Sequence, residues 1–196
     1  KRHIVLAGLG MQYDVNATNN LYANFSQSFR PVTYSDLTPF GSIAKIDPKL
    51  KDANGYNVDL GFRGSYKNVL NYDMSFFFLY YNNKIGYINK TQDTITYLFR
   101  TNTGSSRHLG VEAYAEFNIL DGLVKSNKYG KLSIYNSFGF VDAKYVKGEF
   151  KNNIVEYAPK FINRVGLNYS IKGFGINMQY SYNSKSYGDA SNVAFA

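Results

Sequence analysis

Between residues 56 and 66 the chain alternates without a break: Tyr56, Val58, Leu60, Phe62, Gly64 and Tyr66 fall on one side, and Asn57, Asp59, Gly61, Arg63 and Ser65 on the other. A period of two is that of a β-strand with one apolar and one polar face. Tyrosines close the apolar row at both ends, as expected where a strand's ends meet lipid headgroups and its middle meets hydrocarbon. Ten steps of ~3.3 Å at a tilt of ~40° place these tyrosines roughly 25 Å apart along a barrel axis, the height of an outer-membrane apolar band. After a link at 67–70, the apolar run YDMSFFFLYY at 72–81 returns as the second arm of a hairpin.

The alternation recurs along the chain. Residues 4–15 set Leu9, Met11 and Tyr13 against Gly10, Gln12 and Asp14; residues 21–29 set Leu21, Ala23 and Phe25 against Tyr22, Asn24 and Ser26, with Gln27 as a misfit on the apolar side. Residues 107–117, 132–146, 161–171 and 174–182 follow the same rule. Three of the four prolines, Pro31, Pro39 and Pro48, lie between residues 30 and 54. Proline cannot donate to a β-ladder, so that stretch is expected to be loop. Residues 83–106 hold a weaker strand pair, 85–89 and 95–101, and residues 147–160 form a third loop with Pro159. No helical segment is evident.

Eight such strands joined by hairpins predict an all-β, antiparallel up-and-down transmembrane β-barrel. Links after the first, third, fifth and seventh strands are short or modest, and those after the second, fourth and sixth are long, the asymmetry of periplasmic turns against extracellular loops. With that orientation both chain ends fall on the extracellular side, whereas a complete bacterial barrel starts and finishes in the periplasm. The chain is therefore expected to be about eight consecutive strands of a larger barrel. A self-contained eight-stranded barrel with a structural or adhesive role, and a soluble β-sandwich or barrel that buries its apolar faces, are the competing readings.

Composition narrows the chemistry. Tyr 19 and Phe 15 with no Trp suit half-buried pleated surfaces. No apolar run approaches the ~18–20 residues of a spanning helix. Cys 0 excludes disulfides, CxxC redox chemistry and thiolate metal sites. His3 and His108 are too few and too far apart for a zinc cluster. Residues 1–3 lead straight into a strand-like run, with no signal peptide, which fits a mature soluble chain or a fragment lacking its own start. The net charge of +8 would suit nucleic acid, but the Lys and Arg are scattered, so nucleic-acid binding is not expected. No nucleophile–base pair, paired-carboxylate site or phosphate loop is present; the Gly173–Phe174–Gly175 triplet is a turn, since no helix follows it. The chain is not expected to be an enzyme.

Five strings, in order, carry a resemblance: LYANFSQSFRP at 21–31, GYNVDLGFRG at 55–64, NTG at 102–104, RHLGVE at 107–112 and YAP at 157–159. With them the chain resembles the C-terminal part of the barrel of TonB-dependent outer-membrane receptors, Asp59 standing where Glu is commoner. Residues 47–64 and 100–112 look most like ferric-dicitrate-type siderophore receptors. The resemblance covers nearly the whole chain, so residues 1–196 are taken as a partial receptor barrel without its plug domain or remaining strands. It implies a 22-strand barrel in the bacterial outer membrane and a metal chelate bound from outside. It also implies uptake driven by a TonB-type energy-coupling protein that grasps a box near the N-terminus. Implied partners are membrane lipid and lipopolysaccharide, the receptor's own plug and surface lipoproteins. No resident cofactor is expected; a ferric chelate would be cargo. Vitamin B12 and oligosaccharides stay open as alternative cargo.

On this frame Arg100, Arg107 and His108 flank the second long loop, where they would meet an arriving anion, and guanidinium groups suit carboxylates through bidentate contact. The plainer reading, which is preferred, is that they solvate a loop rim or pair with lipopolysaccharide phosphates. Asp59, Arg63, Glu112, Glu116 and Arg164 are expected on the lumen wall, paired with one another or with the plug. Asp14 and Asp73 read as turn or rim residues.

Overall fold

The computed structural model describes residues 3–39, 41, 44–67, 69–123 and 127–196. They form one sheet in which β1 (Gly8–Asn16), β2 (Asn19–Arg30), β4 (Ala53–Tyr66), β5 (Leu70–Gln92), β6 (Ile95–Asn118), β7 (Lys131–Lys147), β8 (Phe161–Ile171) and β9 (Phe174–Asn183) pair in that order. Every one of these neighbours is antiparallel. The sheet path is open, since β1 and β9 are not hydrogen-bonded to each other. The eight long strands are those expected, and the chain does not close on itself as a self-contained eight-stranded barrel would.

Register turns the alternation of single strands into continuous rows. Met11, Ala23, Leu60, Phe76, Val111, Phe140 and Phe161 stand side by side across seven strands. A neighbouring row on the opposite face reads Asp14, Asn20, Arg63, Asp73, Tyr114, Ser137, Arg164 and Ser181. A slip of one residue in any pair would mix the two rows, so the faces fix the register. The apolar face is uncovered: Leu60 is 55% exposed, Phe76 57% and Met178 66%. A soluble sandwich would bury these side chains. Among the described residues a buried apolar cluster instead joins Ala143, Tyr145, Val155 and Ala190 at the long-loop end.

Tyrosines mark the edges of the apolar face as the spacing predicts. Tyr56 stacks on Tyr80 with ring centroids 5.5 Å apart, and Phe62 packs on Tyr72 at 5.5 Å. Gln27, the misfit, stands opposite Tyr56 and its side-chain oxygen accepts the Ala7 backbone N–H at 3.2 Å, so this polar group is spent on the edge of the sheet.

Three local expectations are corrected. The weak strand pair is no separate unit: β5 and β6 run on past the membrane-sized arms as one hairpin, turned at Asp93–Thr94 and interrupted by a bulge at residues 82–83. The 30–54 stretch is not wholly irregular. It contains a 3-10 turn at Tyr34–Leu37 and a three-residue strand β3 (Ala44–Ile46) that pairs parallel to β6. Its prolines lie outside those pieces, which is why both are short. The link after β6 holds a five-residue helix, α1 (Ile119–Leu123), too brief for periodicity to reveal.

Candidate functional site: a polar wall beneath a stitched loop rim

The polar face carries a hydrogen-bonded network and an open groove of about 410 Å³ lined by Tyr22, Asp73, Ser75, Glu112, Tyr114 and Arg164, among others. Tyr22 donates its hydroxyl to Asp73 Oδ1 at 3.0 Å, and the Arg63 guanidinium lies 5.2 Å from the centre of the Tyr22 ring. Arg63 also donates to Asn20 Oδ1 at 3.0 Å and to Gln12 Oε1 at 3.2 Å. Glu116 accepts from Ser133 at 2.7 Å and from Tyr114 at 3.3 Å, while Asp59 accepts from Asn57. All five residues expected on the wall, Asp59, Arg63, Glu112, Glu116 and Arg164, stand on this face by register. Asp73 belongs there too, opposite Arg63, and is no turn residue.

The three rim candidates do not converge. Arg107 and His108 are consecutive on β6 and therefore point to opposite faces. Arg107 donates to Asp142 Oδ2 at 3.3 Å on the apolar-face side, where Lys144 shares the same carboxylate at 3.3 Å. His108 lies on the polar side, within 3.2 Å of Ser106 Oγ and edge-on to Tyr81. Arg100 sits higher, on the extended part of β6, with its guanidinium 4.6 Å from the centre of the Tyr87 ring.

What Arg100 meets is a residue that sequence reasoning passed over. Asp36 is fully buried and is shared by two arginines: Arg30 donates to it at 2.8 Å and Arg100 also reaches its Oδ1. The Thr33 backbone N–H and hydroxyl donate to the other oxygen, each at 2.9 Å. Burial works against the Asp36 charge, but the Thr33 backbone donor and the two guanidiniums outweigh it and hold the carboxyl well below the usual range. The signal was a Thr-x-x-Asp string at 33–36, the pattern of a capping box. Further contacts stitch the same loop to β6: Thr101 donates to Asp47 at 2.6 Å, and Asn102 exchanges hydrogen bonds with the Lys51 backbone at 2.8 and 2.9 Å.

The third loop has its own anchor. Lys84 pairs with Glu156, and the buried Tyr145 donates to the second Glu156 oxygen at 2.8 Å. Burial would raise the Glu156 carboxyl, yet the Lys84 ammonium holds it below its ordinary value. Sequence could not reveal this triad, since its members lie in three segments up to 72 residues apart. Among the described residues no group of three or more His, Cys, Asp or Glu could hold a metal ion. The arrangement is a wetted wall below a mouth whose loops are pinned by ion pairs.

Comparison with known proteins fits this geometry. Residues 2–195 match the model of a family described as TonB dependent receptor-like, beta-barrel. The ferric citrate transporter FecA in its unliganded form is 27% identical over 95% of this chain and 26% of that chain, with a TM-score of 0.70. The copper transporter OprC is 15% identical over 94% of this chain and 28% of its own, also at a TM-score of 0.70. The ferric yersiniabactin uptake receptor FyuA from Yersinia pestis is 16% identical over 97% and 27%, at 0.68. The last two likenesses are of fold alone. The chain spans about a quarter of the length of each of these structures.

Proposed function

Because the chain belongs to the TonB-dependent receptor-like β-barrel family, a family of outer-membrane transport receptors rather than enzymes, we propose that it supplies part of the wall and outer mouth of a receptor importing an anionic ferric chelate. The observation that carries this reading is the identity with the ferric citrate transporter over nearly the whole chain. The paired arginines at the mouth support it. Arg30 and Arg100 face one carboxylate from Asp36, so an arriving citrate-type carboxylate competes for a guanidinium pair already set at carboxylate spacing.

In this reading the remaining strands and a plug come from the rest of the polypeptide. The plug fills the lumen against Asp59, Arg63, Glu112, Glu116 and Arg164, and a TonB-type partner supplies the energy for import. The barrel itself performs no chemistry on the cargo.

Uptake of radioiron by cells whose only ferric receptor is the full-length protein tests the proposal. Iron entering as ferric citrate, dependent on TonB and reduced severalfold by Arg30→Ala/Arg100→Ala, supports it. Uptake confined to a neutral chelate, or a double variant equal to wild type, overturns it.

A further inference from the structure

On the lipid-facing side of the sheet the side chains change character within one row at the long-loop end. Val58, Phe78 and Leu109 stand beside Asp142, and the next row reads Tyr56, Tyr80, Arg107 and Lys144. No bulge interrupts these ladders between Leu60 and Tyr56 or between Phe140 and Lys144, so both rows share the face of Leu60, Phe76 and Phe140. Just beyond, Ser106 pairs with Tyr145 but Ser105 with Lys147. The extra residue turns Lys147 to the side of Arg107, where it lines a groove of about 430 Å³ with Gln27, Asn54, Tyr56, Tyr80 and Asn82, among others. Ser105 donates to Asn82 at 2.8 Å on that side.

Charge at this edge is unbalanced. Asp142 meets Arg107 and Lys144 at 3.3 Å each, and these two long contacts leave most of the guanidinium and ammonium donors free. Their side chains stay 38% and 40% exposed, and Lys147 is exposed with no ion pair among the described residues. Three cations thus share one carboxylate at the level where Tyr56 stacks on Tyr80, the headgroup edge of the apolar face. Directly below them the face is greasy, and Phe161 packs on Phe140 at 5.1 Å. Long loops face outward, so the anion met at this level belongs to the outer leaflet of the outer membrane, which is built of a phosphorylated glycolipid, lipopolysaccharide. We propose that Arg107, Lys144 and Lys147 bind a phosphate of this glycolipid while its acyl chains lie over Phe78, Leu109 and Phe140. Guanidinium takes phosphate through paired donors and ammonium as a point charge, and both stems lie readily along apolar surface. Asn54 and Asn82, one row higher, offer amides to sugar hydroxyls. His108, on the opposite face, and Arg100, paired with Asp36, take no part. The site follows from where the chain lies in the membrane and stands whatever the cargo.

Native mass spectrometry of the full-length receptor, released from detergent after addition of diphosphoryl lipid A or of the same lipid A stripped of its phosphates, tests the site. The expected result is preferential retention of the diphosphoryl form, weakened about fivefold for each cation removed in Arg107→Gln, Lys144→Gln and Lys147→Gln and kept by Lys144→Arg and Lys147→Arg. Heat-modifiable migration on unheated gels establishes that each variant is folded. If the variants that strip Asp142 of a partner are not, Lys147→Gln alone, at the exposed last residue of β7, carries the comparison. Equal retention of the two lipids, or unchanged retention in the folded glutamine variants, overturns the proposal. So does displacement of lipid A by inorganic phosphate, which would mark a site for free anions, or retention of dioleoylphosphatidylglycerol equal to that of lipid A, which would mark a site for any anionic lipid.

Discussion

Tyr22 on β2 reaches across Gly61 on β4 to hydrogen-bond Asp73 on β5, so one side chain ties three strands of the polar wall. Gly61 makes this possible, because a Cβ at that position would overlap the Tyr22 ring. The device is repeated: Tyr135 on β7 lies over Gly166 on β8 and donates to Gln179 on β9 at 2.8 Å. Aromatic cover of a sheet glycine shields its backbone and pins the register of the strands it crosses.

Gly61→Val should therefore displace the Tyr22 ring and cost about 1–3 kcal/mol, as overpacking does in a close-packed site. Tyr22→Phe keeps the ring and loses only the bond to Asp73, for about 1 kcal/mol. Urea unfolding of the full-length receptor in liposomes, followed by circular dichroism, should rank wild type above Tyr22→Phe above Gly61→Val. Midpoints for Gly61→Val equal to wild type would show that the glycine is incidental.

Asp36 should govern the loop over residues 31–52 rather than the barrel below it. With Asp36→Ala, Arg100 loses its carboxylate partner while staying largely enclosed, and trypsin should cut at Lys45, Lys49 and Lys51 at least several times faster. The pH dependence has a definite sign. The folded-state pKa is depressed, so the contribution of the clamp is complete above the ordinary carboxylate range near pH 4 and fades as pH falls from there toward the lower folded value. Hydrogen exchange of this loop should thus be equally protected at pH 7 and pH 5.5, intrinsic rates corrected. Loss of protection already at pH 5.5 would contradict the clamp.

Leu60 sits mid-row on the apolar face with about half its surface open. Leu60→Arg should cost about 2–4 kcal/mol of folding free energy in a bilayer, and Leu167→Arg, on the same face between Ile134 and Met178, a similar amount. Unfolding titrations in vesicles measure this directly; insertion and stability unaffected by either change would count against the placement of that face.

These outcomes also separate what the sequence discloses from what it does not. The strands were legible because each repeats one two-residue rule for ten or more positions, and because burial in lipid leaves the apolar row intact to be read. Asp59, Arg63, Glu112, Glu116 and Arg164 could be assigned to the polar face from parity alone. The loops follow no such rule. Asp36 meets Arg100 across 64 residues, and Lys84 meets Glu156 across 72, so their pairing depends on how the strands already stand. Arg100, Arg107 and His108 looked like a cluster because they are close along the chain. Bulges at residues 82–83 and 105–106 and the alternation of β6 send them to three different surroundings. The extended β5–β6 hairpin reads as broken strands in the sequence for the same reason, since a bulge interrupts the period without ending the pairing.

The most direct measurement exploits a segment that has no cysteine of its own. Spin labels attached one at a time at residues 57 through 63 of the full-length receptor in a bilayer report collisions with oxygen, which concentrates in lipid, and with a water-soluble nickel chelate. The account predicts a period of two, with oxygen favoured at 58, 60 and 62 and the nickel chelate at 57, 59 and 63. A reversed pattern, or accessibility that does not alternate, would contradict it.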